Sequence, residues 1–303
     1  MAIFAAAMAE AGYIGVLLFA LTAAGGSLPP AWEDSASFRH TGIPLPQRRL
    51  ILGAATGAAL AASHLWHTRI WWPDSLRGPW NIRVEGTYAL HLDKLGHFYA
   101  AQVLSETYQG PLRWAGWSPE RAALYSAVLV TLFAAYVEFF DGYGQNYGAD
   151  PLDWAFGALG AWWAALRARI PELGAMRLKW SYWPSVGFKH AFVDDYEGHN
   201  YWLVFYPHRL GLAPPWPRGL GIALGVGGKY LRSGDHPTAE DRARRYLEWM
   251  LALDYDLQAL FRPGPLGRGL LGLLEHLHLP APTVRFRPGR RPWIGLLWAS
   301  TRR

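Results

Sequence analysis

The chain has 303 residues, of which 51% are hydrophobic and 15% aromatic, and its formal net charge is +6 at pH 7. This length and composition allow two modest domains with real cores and exclude a largely disordered chain. The absence of cysteine excludes disulfides, zinc–thiolate sites and thiol catalysis. The 17 tryptophans favour a membrane interface, where a side chain can be apolar at one end and hydrated at the other. No recognised nucleic-acid motif accompanies the positive charge, so nucleic acid is not an expected partner.

The hydrophobic pattern divides the chain into four parts. Residues 1–26 are apolar and are predicted to be a signal peptide or a membrane anchor. Residues 27–47 are polar and proline-containing, which indicates a linker. Residues 48–171 are predicted to form a helical domain, and residues 172–303 a β-rich C-terminal domain.

Four helices are predicted in the helical domain. The Gly110-Pro111 pair is expected to end the second helix, and Ser118 followed by Pro119 is typical of the start of a helix. The third helix is apolar nearly all round, so it is either a membrane span or a buried core helix. The predicted helices cover Leu50–Trp66, Leu90–Tyr108, Pro119–Phe140 and Asp150–Arg169.

Acidic residues and a histidine recur at helical spacing inside these apolar segments. Asp93 and His97 are four residues apart and share a helix face, as do Glu138 and Asp141, which are three apart. Asp153 opens the next apolar run. Ionisable groups in apolar surroundings are costly unless they are paired, hydrogen-bonded or used, so we predict that these five residues form one polar cluster.

Three interpretations of this cluster are open. It can be a buried network that fixes helix register, a metal or hydrolase site built from three helices, or a site that binds lipid or an envelope polymer. The sequence has no HExxH or other standard metal-binding spacing, no phosphate-binding loop and no G-x-S-x-G nucleophile elbow. We therefore predict no metal and no cofactor, and no catalytic residue is assigned.

After Pro171 the pattern changes to alternating and aromatic runs between Gly, Pro and Asp clusters, which indicates strands. Arg245–Leu260 fits either a helix or a strand, and we favour a strand. Leu270–His278 is predicted to be a short amphipathic helix with His276 and His278 facing solvent. The predicted strands are Arg177–Trp183, Tyr201–Tyr206, Leu220–Gly227, Thr283–Phe286 and Ile294–Trp298. The fold class is therefore α+β, with a membrane-associated helical bundle followed by a β-rich domain.

Several blocks of the sequence resemble a known family. The blocks Asp93–Phe98, Glu138–Gly142 and Asp150–Asp153 are similar to those of the YfiM-type predicted periplasmic lipoproteins, a domain of unknown function. More distantly, the same blocks resemble VanZ-like membrane proteins. A second motif resembles the long Bacteroidetes-type branch of the family, and its residues are Asp195, Tyr196, Gly198, Tyr201 and Trp202.

The resemblance implies a cell-envelope location and a compact helical unit whose acidic residues face inward. One position departs from the pattern, because Gly157 stands where the family usually has Asn or Asp. If that amide belongs to the polar cluster of the family, the cluster here lacks one member.

Two functional hypotheses follow. The first is a non-enzymatic scaffold, or a protein that binds a lipid or a partner, in the bacterial cell envelope. The second is a membrane-embedded, metal-dependent hydrolase or transferase acting on an envelope lipid. We favour the first, because no complete catalytic constellation can be named. The expected partner is membrane lipid, with another envelope protein as a second option, and the choice between inner and outer membrane is open.

Overall fold

The computed structural model describes residues 42–70, 72, 78–84, 88–144, 148–185, 192–212, 216–231, 243–261 and 265–295. The predicted signal peptide or anchor lies outside this range, as does most of the predicted linker. The fold is α+β, as predicted, with helices concentrated in the first half and an antiparallel sheet in the second. The proposed domain boundaries stay predictions.

The chain divides into two compact units, which are described separately. The helical unit contains the described residues of Met1–Gly86, His97–Arg169 and Pro263–Leu270. The sheet unit contains those of Thr87–Gly96, Ile170–Arg262 and Leu271–Arg303.

Four long helices cover most of the first half of the chain. Helix α3 begins as its sequence predicts: the Ser118 Oγ accepts a hydrogen bond from the Arg121 N–H, and Pro119 occupies the first turn. Their bounds are α1 Leu45–Ile70, α2 Leu92–Trp114, α3 Pro119–Asp141 and α4 Pro151–Arg169.

The prediction that Gly110-Pro111 ends helix α2 is wrong. The helix continues through Pro111 to Trp114. A proline inside a helix costs about 3 kcal/mol because it removes a backbone hydrogen bond and crowds the preceding turn. The extra turn buries Leu112 and Trp114 against Leu52 of α1, and we attribute the continuation to this tertiary packing.

Small residues allow the helices of the helical unit to approach closely. The core between α2, α3 and α4 is lined by alanines, including Ala101, Ala127 and Ala161. Gly160 faces the Phe98 carbonyl so closely that a Cβ at this position would collide with the backbone of α2. Among the described residues, α3 is the helix that is long and apolar enough to cross a membrane, by length and composition alone.

The second half of the chain forms a six-stranded antiparallel sheet in which sequence neighbours pair, in the order β1 to β6. One helical turn, α5 Leu257–Leu260, and a short helix, α6 Pro265–Leu274, lie between β4 and β5. The strands are β1 Met176–Tyr182, β2 His199–Phe205, β3 Leu220–Lys229, β4 Tyr246–Tyr255, β5 Thr283–Phe286 and β6 Trp293–Gly295. The ambiguous segment Arg245–Leu260 thus contains the strand that was favoured.

The two faces of the sheet differ in burial. One face is buried and carries an apolar cluster that includes Trp202 and Met250. It also carries charged side chains, including Lys179, Glu248 and Asp254. The opposite face, which we call the apolar face, exposes large hydrophobic side chains on neighbouring strands. Its central row runs across all six strands in register: Leu178, Leu203, Leu224, Leu251, Val284 and Ile294.

The helix predicted at Leu270–His278 was misplaced. Helix α6 ends at Leu274, and the next residues continue as an extended segment that pairs with Trp180 of β1. His276 and His278 are therefore buried, and the prediction that they face solvent is wrong. A helix does form in this segment, but it ends one turn before the residue that the amphipathic pattern predicts.

Candidate functional site

Three of the predicted cluster residues converge in the helical unit, each from a different helix. His97 lies in the second turn of α2, Glu138 in the last turn of α3, and Asp153 in the first turn of α4. One nitrogen or oxygen atom of each residue lies within 4.8 Å of the corresponding atoms of the other two. The His97 Nε2 is 3.7 Å from the Asp153 Oδ1. We call these three residues the triad.

The connection between α3 and α4 holds Glu138 in place. The Glu138 Oε2 accepts a hydrogen bond of 2.8 Å from the backbone N–H of Asp150, immediately before the proline that starts α4. The Asp150 Oδ1 in turn accepts from the Leu152 N–H at 2.9 Å. Glu138 is 7% exposed, so its carboxyl group is fixed in a largely buried position.

Asp141 lies one helical turn after Glu138 and has its own partner. Its Oδ1 accepts a hydrogen bond of 2.6 Å from the indole Nε1 of Trp72. Trp72 is 2% exposed and stacks on Phe140, so the indole is held by packing as well as by the hydrogen bond. This contact was not anticipated from the sequence, which predicts an irregular, partly buried loop around Trp72 but no partner for its indole.

Asp93, the fifth predicted member, belongs to the sheet unit. Its Oδ2 forms an ion pair of 2.9 Å with the Lys94 Nζ, and both side chains are buried. The spacing argument correctly placed Asp93 and His97 on one helix. Periodicity alone could not reveal that the helix contributes residues to both units.

A pocket of about 280 Å³ adjoins the triad in the helical unit. Glu138 lines it, so one carboxyl group belongs to both the triad and the pocket. Most of the remaining lining is aromatic or aliphatic, and it includes Trp80, Ile82, Phe139 and Trp154. Trp80 is fixed by a hydrogen bond from its Nε1 to the Phe139 carbonyl oxygen.

The second predicted motif forms a turn that stabilises the start of β2 in the sheet unit. The Asp195 Oδ2 accepts hydrogen bonds from the Tyr182 hydroxyl and the Ser185 N–H, at 3.1 and 2.7 Å. A Cβ at Gly198 would lie 2.6 Å from the Trp183 carbonyl oxygen, which explains the glycine. Burial raises the pKa of the Tyr196 phenol well above its usual value.

The last two residues of the motif lie in β2. The Tyr201 hydroxyl approaches Gly96 so closely that a Cβ there would lie 2.9 Å away. The Trp202 Nε1 donates to the Ser181 Oγ at 2.8 Å, and the indole stacks on His278. All of these contacts are made inside the sheet unit and support its fold.

A buried ionic network in the sheet unit was missed by the sequence analysis. Asp254, which is fully buried, accepts hydrogen bonds from the Lys179 Nζ at 2.6 Å, the Tyr206 hydroxyl at 2.7 Å and the His278 Nδ1 at 2.5 Å. In the sequence, Lys179 lies between apolar neighbours in β1, and this pattern could have indicated a buried charge.

The triad has the side chains of a metal-binding site. It offers one imidazole nitrogen and two carboxylates, donors that suit divalent cations. The buried network around Asp254 lies in a region closed to solvent, so it supplies packing and charge balance for the sheet.

These features define an α+β protein with an acid–histidine triad in a helical unit and an antiparallel sheet with one exposed apolar face. A family model described as Predicted periplasmic lipoprotein (DUF2279) matches residues 83–169. The match confirms the predicted resemblance to this uncharacterised family and contains all three residues of the triad. It covers less than half of the chain. The similarities to the Bacteroidetes-type branch and to VanZ-like proteins stay predictions.

No curated protein and no solved structure matches the chain. The description of the family model is of periplasmic lipoproteins and is a property of the matched family. The 303 residues contain no cysteine, so none of them can carry a lipid linked through a cysteine side chain.

Proposed function

We propose that this chain is a non-enzymatic membrane protein of the bacterial cell envelope whose sheet contacts lipid acyl chains through its apolar face. The observation that carries this proposal is the exposed row of aliphatic side chains at the centre of that face. Leu203, Leu224 and Leu251 are each 42–49% exposed, and Ile294 is 75% exposed. Soluble proteins rarely leave contiguous apolar surface of this kind uncovered.

The residues beside the central row extend the apolar face along the strands. On one side, Ile222 of β3 is exposed and pairs with Leu253 of β4. On the other side, Trp249 of β4 and Phe286 of β5 are paired and exposed. Aromatic side chains at the margin of an aliphatic band are typical of surfaces that meet a membrane interface.

The buried face supports the same conclusion. Strands that face lipid alternate apolar side chains toward the membrane with polar side chains toward the protein interior. The sheet shows this alternation in part, because its inner face buries Lys179, Asp254 and Arg285 beside an apolar cluster that includes Trp202 and Met250. Strands β3 and β4 each contain 10 residues, which is within the length of about 9–11 residues that a tilted membrane strand needs.

Helix α3 gives independent support from the helical unit. Its most apolar window has a mean hydropathy of 1.8, and only 28% of that window is buried. Leu124, Leu129 and Leu132 are among its exposed side chains. A helix with this composition and exposure is better explained by lipid contact than by a soluble core.

The proposal predicts the response to a charge placed on the apolar face. In lipid vesicles, Leu224→Lys should reduce the free energy of unfolding of the sheet by about 2–4 kcal/mol, because a lysine on a lipid-facing strand must leave water. In a water-exposed position the same change has an effect within about 0.5 kcal/mol. The matched control is Leu212→Lys, because Leu212 is 60% exposed but lies outside the sheet. Equal, small effects of both substitutions would contradict the proposal.

The second candidate is a metal-dependent hydrolase or transferase acting on an envelope lipid. The convergence of His97, Glu138 and Asp153 beside a largely apolar pocket favours it. Its test is turnover of a fluorescent glycerophospholipid by the purified chain, measured with added Mn²⁺ or Zn²⁺ and again with a chelator. Turnover that the chelator abolishes and that His97→Ala lacks would replace the non-enzymatic proposal.

A further inference from the structure

We propose that His97, Glu138 and Asp153 bind one first-row divalent cation, with Mn²⁺ and Zn²⁺ as the best candidates. The sequence assigned no metal to these residues because their spacing matches no standard motif. The inference rests instead on the folded geometry, in which three helices bring one nitrogen and two carboxylate ligands together. It is independent of the proposed lipid contact, which concerns the sheet.

The distances are close to those that a single ion requires. Protein ligands of Zn²⁺ lie about 2.0–2.2 Å from the metal, so two ligands of one ion are at most about 4.2–4.4 Å apart. The ligand atoms of the triad are within 4.8 Å of one another, and the His97 Nε2 is 3.7 Å from the Asp153 Oδ1. Three ligands of one tetrahedral ion are about 3.4 Å apart, so the most widely separated atoms of the triad must approach one another by about 1 Å to complete the site.

The side chain best able to make this movement is His97. Its side chain is 35% exposed, whereas that of Asp153 is 15% exposed and Glu138 is held by the backbone N–H of Asp150. Glu138 is thus fixed and Asp153 is largely buried, whereas the partly exposed imidazole can rotate toward the ion. Metal sites in helical bundles are assembled in this way, from side chains on facing helices.

The electrostatics of the site also favour a cation. Glu138 interacts electrostatically with the carboxyl groups of Asp141, Asp153 and Asp150. Carboxylates gathered in this way repel one another, and a bound divalent cation relieves the repulsion. Asp141 is held by the Trp72 indole and is not one of the three ligands.

The ligand set narrows the choice of ion, and the pocket leaves room for a further ligand. The imidazole suits Zn²⁺ and the two carboxylates also suit Mn²⁺, whereas Mg²⁺ and Ca²⁺ prefer oxygen ligands alone. Three protein ligands leave further coordination positions for water or another small ligand. The pocket of about 280 Å³ that Glu138 lines provides space beside the site for such a ligand.

The test is calorimetric titration of the full chain in detergent with Mn²⁺ and with Zn²⁺ after treatment with a chelator. We expect one ion per chain, and we expect His97→Ala and Asp153→Asn each to weaken binding at least tenfold. The matched control is His64→Ala, which removes a histidine of the same unit that bonds Tyr136 and is not part of the triad. This variant should bind the ion as the wild type does.

A second readout separates loss of ligation from loss of fold. The absorption spectrum of bound Co²⁺ reports directly on its ligands, and it should change in His97→Ala while the circular dichroism spectrum stays the same. Glu138→Gln is the less decisive variant because that residue is buried. Absence of binding to the wild type, or binding that is equal in the wild type, His97→Ala and Asp153→Asn, would overturn the inference. Neither result affects the lipid-contact proposal, which is measured on the sheet.

Discussion

Replacing Asp254 with alanine should severely destabilise the sheet unit. Asp254 is fully buried and accepts hydrogen bonds from Lys179, Tyr206 and His278. Its removal leaves the Lys179 ammonium group as a buried charge without this carboxylate, which costs about 3–5 kcal/mol in comparable cases. The Tyr206 hydroxyl and the His278 ring each lose a partner at about 1–3 kcal/mol.

These losses are not additive, because the structure relaxes around the vacant position. We therefore expect Asp254→Ala to reduce the free energy of unfolding by at least about 4 kcal/mol, a large share of the 5–15 kcal/mol that folded domains typically possess. The assay is denaturant unfolding in detergent, followed by circular dichroism in the β-sheet region. Lys179→Met combined with Asp254→Leu removes both charges and should recover part of the loss. A cost below about 1 kcal/mol for Asp254→Ala would refute the argument.

Three further predictions concern other buried contacts. Burial lowers the pKa of His199 from 6.5 to about 4. The free energy of unfolding of the sheet should therefore fall by about 3 kcal/mol as the pH falls from 6.5 to 4. In unfolding measured against pH, His199→Gln should show a shallower acid dependence. A Cβ at Gly225 would lie 2.5 Å from the Trp202 ring, so Gly225→Val should cost about 1–3 kcal/mol by thermal unfolding, whereas no loss would contradict that contact. Trp72→Phe removes the indole donor to Asp141 and should cost about 1.5–3 kcal/mol, which a double-mutant cycle with Asp141→Asn can isolate.

Local signals in the sequence were sufficient to predict most of the secondary structure. Ser118 and Pro119 gave the start of α3 because capping depends on residues that are adjacent in the chain. The strand β4 was recognised by its alternation despite a competing helical pattern. Pro111 was misjudged because the burial of Leu112 and Trp114 against α1 depends on contacts far away in the sequence.

The candidate site was predicted in part for the same reason. Helical spacing identified His97, Glu138 and Asp153 as ionisable residues within apolar helices, and the folded chain brings them together. Spacing within single helices could not place Asp93 in the sheet unit or supply Trp72 as the partner of Asp141. Both depend on how distant segments pack, and no pattern in the sequence encodes that packing directly.

The exposed position of the apolar row was also outside the reach of periodicity. Alternation in β3 and β4 predicts two different faces, but it does not state which face is buried. An ordinary assignment places Leu224 and Leu251 in the core and Asp254 at the surface. The structure has the opposite arrangement, because Lys179, Tyr206 and His278 satisfy the carboxyl group on the inner side.

The most direct test of lipid contact uses the absence of native cysteine. Single cysteines at Leu224 or Leu251 on the apolar face, and at the exposed residue Glu172 as a control, can each carry a spin label without side reactions. The accessibility of each label to oxygen and to a water-soluble nickel chelate is measured in reconstituted vesicles. Labels on the apolar face should be reached by oxygen and protected from the chelate, whereas the Glu172 label should be reached by the chelate. Equal exposure of all three labels to the chelate would contradict the central proposal.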